Sequence, residues 1–361
     1  MANFNGQLRS NEIFSALYNM IISQEVFADN LGKHQTLVDK ARVDGGLYGD
    51  TKLYYSTDVL KSVPWGNDAE AANLLALHRP EAPECQAIHL DIFRQICLTV
   101  DNYLSKRAWA DEGAFSSFNS VMLGWMKETK KVYDGTLYNV FIGTTKATGA
   151  GQTISVDLSG TTSLTGVEKE KMEAMLIAQS LADLMVAMGD YSRDFNDYGN
   201  LRSYAEDGIK VIWNSKFVNK IRKVDLPTIF HKDGLIDKFE EEILPERYFG
   251  DVNTSKLTSI EANTVRSTIE KDYTVSSKVT HVFPGDYIPA GATVEIGEGY
   301  TAPAKDVICK VLVKLPPYMS AFEVGTSFFN AKSLTENHYL TFGHNTLEYL
   351  KNYPFITVQV K

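Results

Sequence analysis

Gln86-Ala87-Ile88-His89-Leu90-Asp91-Ile92-Phe93-Arg94-Gln95-Ile96-Cys97-Leu98-Thr99-Val100 decides the fold. Ile88, Leu90, Ile92, Ile96, Leu98 and Val100 fall on even positions, with Arg94 the one exception. Side chains alternate faces along a strand, so this period of two predicts one long strand with an apolar face. Upstream, Asp50 to Asp58 is rich in Tyr and Thr, the composition of a half-exposed strand. Val43 to Gly49 holds three glycines and reads as a turn, as does Trp65-Gly66. Ala69 to His78 has strong helix formers and stops at Arg79-Pro80-Glu81-Ala82-Pro83. Downstream, a helix begins at Gly113, where Phe115, Phe118, Met122, Trp125, Thr129 and Val132 recur in steps of three and four along a narrow seam. Trp125 is expected in the core. Gly124, costing about 1 kcal/mol relative to Ala, is expected to pack closely on another backbone. A two-stranded arm standing off one long helix suits a subunit that reaches over its neighbours.

Farther out, Asn11 to Asn30 is a helix candidate stopped by Gly32, with Ile13, Phe14, Leu17, Ile21 and Phe27 on a face that needs a partner surface. Gly143 to Gly166 is rich in Gly, Thr and Ser and reads as a loop with short strands. Thr165-Gly166-Val167-Glu168 looks like a capping box opening a Met-rich helix that Gly189 closes. Met172, Met175, Met185 and Met188 read as adaptable core. Loops from Tyr191 to Asn200 precede a short buried strand, Ile209 to Trp213. From Val265 the chain turns β-rich, and Gly285 to Gly297 reads as a compact hairpin module. Val307 to Leu315 alternates, with Lys310 and Lys314 on one face. Phe355 to Val360 is a terminal strand that must pair with something.

Composition narrows the function classes. The 361 residues are 44% hydrophobic and 22% charged, ordinary for a folded protein, and the net charge of -9 comes without a basic block. A sequence-independent grip on phosphate backbones is therefore disfavoured. Cys85, Cys97 and Cys309 lack metal or redox spacing and read as buried small hydrophobes in a reducing compartment. Neither a signal-peptide pattern nor an apolar run of membrane-spanning length stands out.

The search for chemistry yields no catalytic, cofactor-binding or metal residue. Gly143-Thr144-Thr145-Lys146-Ala147-Thr148-Gly149 lacks the Gly-Lys-Ser/Thr ending of a phosphate loop. Cys85 and His89 stand four apart, a ligand spacing for a helix but not for a strand. His338 and His344 lack a His-Glu-x-x-His pattern, and Ser62 and Ser116-Ser117 lack a nucleophile elbow. Glu240-Glu241-Glu242 reads as a solvated helix face. Candidate interface residues are Tyr54 and Tyr55 on the arm, Trp65 on its turn, and Phe14 and Leu17 on the first helix.

With these elements in order, the chain resembles the major capsid proteins of tailed bacteriophages, the Hong Kong 97 phage-type fold, in the versions of small podophages and crAss-like relatives. The resemblance rests on Trp65, Asn73-Leu74-Leu75-Ala76, Arg79-Pro80, Gln86-Ala87-Ile88-His89-Leu90-Asp91, Gln95-Ile96, Val100-Asp101-Asn102-Tyr103-Leu104-Ser105 and Gly113-Ala114-Phe115-Ser116-Ser117-Phe118. Asn200-Leu201-Arg202-Ser203-Tyr204 and the strand at Ile209 resemble the family's axial domain. The resemblance implies an α+β fold with an N-terminal arm (1–45), an extended loop over a neighbouring subunit (46–103), a peripheral domain with a long spine helix (104–143), an axial domain (144–306, with a β-rich insertion at 265–303) and return strands of the peripheral domain (307–361).

It further implies a structural protein, not an enzyme, that self-assembles through pentamers and hexamers into an icosahedral shell around double-stranded DNA. The implied partners are other copies, a separate scaffolding protein, the portal, minor capsid proteins and packaged DNA held without sequence-specific contacts, with no cofactor and no membrane. The implied location is the virion capsid, assembled in the host bacterial cytoplasm. The family's covalent crosslinking is not carried over, because no Lys and Asn pair for it is identified. Two alternatives stay open: an encapsulin-like nanocompartment shell, and a β-rich ligand-binding module around Asp286 to Tyr300.

Overall fold

The computed structural model describes residues 36–45, 50–62, 77–101, 112–218, 240–301 and 306–361; side chains at 36, 112–120, 123, 240 and 322 are not described. The helices are α1 (Thr36–Ala41), α2 (Glu112–Thr144) and α3 (Gly166–Gly189). The strands are β1 (Arg42–Asp44), β2 (Thr51–Ser56), β3 (Glu84–Asp101), β4 (Thr153–Val156), β5 (Lys210–Asn214), β6 (Glu240–Leu244), β7 (Val252–Asn253) and β8 (Arg266–Ser267). They continue with β9 (Lys271–Val275), β10 (Lys278–Val282), β11 (Tyr300–Thr301), β12 (Val307–Leu312), β13 (Tyr318–Asn330), β14 (Thr335–Asn345) and β15 (Phe355–Val360). The candidate helix at 11–30, with Phe14 and Leu17, and the Trp65 turn lie outside the described residues, as does most of 69–78.

The alternating stretch is one strand of 18 residues, β3, in a sheet of order β1-β13-β14-β3-β2. Its even positions point inward, with Ile88, Leu90 and Val100 buried, and its odd positions point outward. Cys85 and Cys97 are on the outward face and exposed, so of the three cysteines only Cys309 is core. Arg94 is tolerated on the inward face because its guanidinium lies over the Tyr133 ring and pairs with Glu270 at 2.7 Å. Val43 and Asp44 are strand and not turn, since β1 runs parallel to Tyr318–Ser320 and Gly45 N–H extends the ladder to the Ser320 carbonyl.

The long helix α2 begins where expected, but the expected seam is rotated. Trp125 is 37% exposed, while Met122, Met126, Lys130, Tyr133 and Asp134 form the buried row. Steps of four through a lysine and an aspartate carry that row, and a count of apolar residues misses them. Gly124 meets nothing within 4 Å of an added Cβ among the described residues; the close approach is at Gly143, against the backbone carbonyl of Tyr248.

A second sheet has order β4-β15-β12-β5-β6. Ile177, Leu181, Leu184 and Met188 of α3 join the cluster on one face, with Val211, Trp213, Val311, Ile356 and Val358. Tyr138 and Ile142 of α2 join the cluster on the other, with Ile212, Leu312 and Phe355. Central strands covered on both faces read as continuous apolar runs, so β12 is buried at all six positions and does not alternate. The terminal strand β15 pairs within the chain, antiparallel to β12 and parallel to β4. This sheet joins strands from both sides of the expected 306/307 boundary.

Glu240–Glu242 is not a helix face but the edge strand β6, parallel to β5. Glu241 accepts a bond from Trp213 Nε1 at 3.2 Å and Glu242 pairs with Lys40 at 2.6 Å. Carboxylates on a sheet edge deter further pairing. The helix α3 is long and apolar enough to cross a membrane, but its inner stripe, from Ala174 to Met188, is core. Met185 and Met188 are buried there and Met172 and Met175 are exposed; Thr165 stands at the N-cap without a side-chain capping bond.

Residues 252–301 close over their own small core of Ile260, Val265, Tyr273, Val282, Ile288, Val294 and Tyr300. The hairpin is β9–β10, turning at Ser276-Ser277 with φ of 49° and 66°. The 285–297 segment instead wraps that core through turns with positive φ at Gly285, Gly291 and Gly297.

Candidate assembly surface

Several hydrogen bonds converge at the root of the arm. At the end of β2, Ser56 Oγ donates to Asn352 Oδ1 at 2.6 Å and accepts from Asn200 Nδ2 at 2.7 Å. Arg202 donates to the Thr57 carbonyl at 2.6 Å. Asp58 takes Arg193 at 2.6 Å and Leu201 N–H at 2.9 Å, and these bonds hold its carboxyl well below the usual range, at about 2. Two segments distant in sequence, 193–202 and Asn352, thus clamp residues 56–58. Beyond the clamp, among the described residues, Val59, Leu60 and Leu77 are exposed.

Of the candidate interface residues, Tyr54 is half-buried beside Lys314, and Tyr55 is 65% exposed on the opposite face of β2. Both border a cavity of about 200 Å³ with Tyr198, Lys314, Asn352 and Tyr353, smaller than the ~300–1,000 Å³ of small-molecule sites.

A buried polar network behind the arm stiffens the sheet against α2. Asp134 accepts from Lys130 at 2.8 Å, Tyr318 at 2.6 Å and Arg42 at 3.3 Å. His344 donates from Nδ1 to the Asn345 carbonyl at 2.9 Å, because a carbonyl can only accept. Its Nε2 therefore accepts from the Tyr133 hydroxyl at 2.8 Å. Burial lowers the His344 pKa and raises that of Tyr133 to about 12, so both stay neutral at physiological pH. Sequence reading takes His344 for an ordinary strand or turn histidine, and His344 lies on strand β14; the same reading misses Asp134, which no motif marks.

Among the described residues, no group of three or more His, Cys, Asp or Glu could hold a metal ion. Cys85 and His89 share the outward face of β3, with His89 Nδ1 2.8 Å from Thr51 Oγ1. What the molecule presents instead is strand surface. On β13, each residue from Glu323 to Phe329 is exposed.

No protein-family model and no curated protein matches this sequence. Solved structures do. A chain of the capsid structure of Staphylococcus phage Andhra superposes with a TM-score of 0.61 at 10% identity, covering 94% of this chain and 87% of its own. A chain from the structure of head fiber and inner core protein gp22 of native bacteriophage P68 gives 0.60 at 11% identity, covering 94% and 88%. One from the asymmetric unit of the bacteriophage PhiM1 mature capsid gives 0.50 at 7% identity, covering 93% and 90%. The chain has the Hong Kong 97 phage-type capsid fold. The α+β class and the resemblance to tailed-phage capsid proteins are thereby borne out at the level of fold, and the likeness spans nearly the whole chain. In this capsid fold the long helix α2 lies against the β13-β14-β3 sheet, and the α3 sheet closes on its C-terminal half.

Proposed function

We propose that the chain is a major capsid protein that self-assembles into an icosahedral shell enclosing a double-stranded DNA phage genome. The observation that carries this reading is a capsid fold matched over 94% of the chain, to a capsid structure of a phage. In this reading 1–45 is the arm, 46–103 the extended loop over a neighbour, 104–143 the peripheral domain with its spine helix α2, and 144–306 the axial domain with its β-rich insertion. Residues 307–361 return to the peripheral domain, with β12 and β15 bonded into the axial sheet. Tyr54, Tyr55, Trp65, Phe14 and Leu17 are interface residues.

The role is mechanical and not enzymatic. Long strands and a clamped arm root add contact area between copies without enlarging any one core, and the acidic balance of -9 lets DNA move along the wall during packing and ejection. Scaffolding protein and portal are the working partners during assembly in the host cytoplasm, and the virion capsid is the destination. The test is co-expression with the genomic neighbours, followed by sedimentation and negative-stain electron microscopy. Closed shells loaded with DNA support the reading; closed shells holding a cargo enzyme move it to a nanocompartment, and stable small oligomers overturn it.

A further inference from the structure

We infer that the cavity at the arm root is a receptor for one carboxylate side chain, an Asp or Glu carried by a partner protein. Ser56 and Gln86 line it and are buried, with their polar atoms committed inside the chain. Ser56 Oγ accepts from Asn200 at 2.7 Å and from Arg202 at 3.2 Å. Gln86 Oε1 accepts from Lys351 N–H at 3.0 Å, and Asn352 Oδ1 accepts from Ser56 Oγ at 2.6 Å. The side-chain acceptors of Ser56, Gln86 and Asn352 are therefore occupied.

What remains around the cavity is donors. The Asn352 amide, the Lys314 ammonium and the hydroxyls of Tyr54, Tyr198 and Tyr353 border the same space. Among the described residues, Asn352 Nδ2, Lys314 Nζ and these three hydroxyls have no hydrogen-bond partner in the chain. Burial, and after it the charge of Glu84, raises the pKa of Tyr198, and burial raises that of Tyr54, so both hydroxyls keep the proton they would donate. An ammonium and an amide nitrogen can only donate. A cavity with its acceptors taken and its donors free selects a ligand that accepts hydrogen bonds.

Charge selects among acceptors. Lys314 Nζ lies 6.0 Å from the centre of the Tyr54 ring and 5.4 Å from that of Tyr353, with no ion-pair partner among the described residues. Behind it Arg202 bonds only neutral groups, namely Ser56 Oγ, Asn352 Oδ1 and the Thr57 and Leu201 carbonyls. Two positive charges thus stand here without a counter-ion, in a chain whose net charge is -9. Of the two only Lys314 lines the cavity. One ammonium suits a singly charged carboxylate, whereas phosphate favours the fork of a guanidinium. Size and rim set the source. At about 200 Å³ the cavity has room for one side chain and falls below the ~300–1,000 Å³ of a small-molecule site. Leu53 and Tyr55, both exposed at the rim, offer apolar contact to the main chain on either side of that side chain.

The cavity is complete within one chain, so binding is measured on the full unassembled subunit, apart from shell formation. Saturation-transfer NMR follows three probes: acetyl-Ala-Glu-Ala-amide, its Gln counterpart, and propionate, the same carboxylate without a main chain. The Glu peptide is expected to bind about tenfold more tightly than the Gln peptide, the scale of one charge-assisted bond, and more tightly than propionate. Lys314 is exposed, so Lys314→Met is expected to melt like the parent while losing that preference, and Lys314→Arg to keep it. Equal binding of the Glu and Gln peptides, or a preference unchanged in Lys314→Met, overturns the carboxylate site. Propionate binding as tightly as the Glu peptide overturns its assignment to a protein side chain.

The partner is read in intact cells that co-express the genomic neighbours, with photo-reactive benzoylphenylalanine in place of Leu53 and cross-links mapped by mass spectrometry. Cross-links to a second protein, within a few residues of an Asp or Glu and lost in Lys314→Met, are expected. Cross-links only to copies of this chain, cross-links indifferent to Lys314→Met, or none at all overturn the partner assignment.

Discussion

Lys310 is fully buried in the middle of β12, where its Nζ donates to the Thr145 carbonyl at 2.7 Å, just past the end of α2, and to Thr357 Oγ1 at 2.8 Å. Burial, with Lys146 adding to it and Asp251 opposing, pushes its pKa from 10.5 down to about 7. Between those values the unfolded chain binds the proton and the folded chain does not, so stability rises with pH across that window. At about 1.36 kcal/mol per pH unit, the group costs about 5 kcal/mol at pH 7 and under about 1 kcal/mol at pH 10. Lys310→Met removes that cost but strands two buried acceptors, at about 1–2 kcal/mol each. The variant is therefore expected to be about 2 kcal/mol more stable than the parent at pH 7 and about 2 kcal/mol less stable at pH 10. Urea unfolding of the unassembled subunit at several pH values measures the difference. Subtraction cancels the buried tyrosines, Tyr138 and Tyr318, whose pKa values burial raises in both proteins. A difference that stays flat from pH 7 to pH 10 refutes the reasoning.

Asp134→Ala takes from the buried Lys130 ammonium its carboxylate at 2.8 Å, leaving only Glu323 at 3.8 Å, and is expected to cost about 3 kcal/mol in chemical denaturation. Gly285→Ala sets a Cβ 2.7 Å from Tyr248 Cε1 at a φ of +85°, and about 2 kcal/mol or more of lost stability is expected from the melting curve. Asp58→Ala opens the clamp at the arm root: hydrogen exchange should speed up in 57–62 and 193–201 while the global melting temperature holds. For the same reason acid should loosen the arm root progressively as pH falls from about 3.8, the ordinary value of the carboxyl, to about 2, its value when bonded.

The strands and helices that the sequence announces most clearly are those with one wet face. β3 alternates because one side faces solvent, and β2 carries the Tyr and Thr of a half-exposed strand. α3 ends at Gly189 as its closing glycine requires. The misread elements share a different physics. β12 is covered on both faces, so Lys310 looked like the polar side of an alternation when it is a satisfied buried donor. The seam of α2 runs through Lys130 and Asp134, whose pairing in the core no hydrophobic pattern reveals. β6 opens with three glutamates on a sheet edge, and edges are written in the residues that also mark solvated helices. The candidate assembly surface is legible only in part. Tyr54 and Tyr55 stood out by composition, but the bare edge of β13 becomes visible only once the sheet order shows which strand lacks a neighbour.

Cryo-electron microscopy of particles from cells expressing the chain with its genomic neighbours tests the central claim most directly. The account predicts closed icosahedral shells whose repeating unit is this chain, with α2 and the β13-β14-β3 sheet traceable in each copy and DNA density inside. Particles in which the chain is absent from the shell wall, or a preparation holding only monomers and small oligomers, would contradict it.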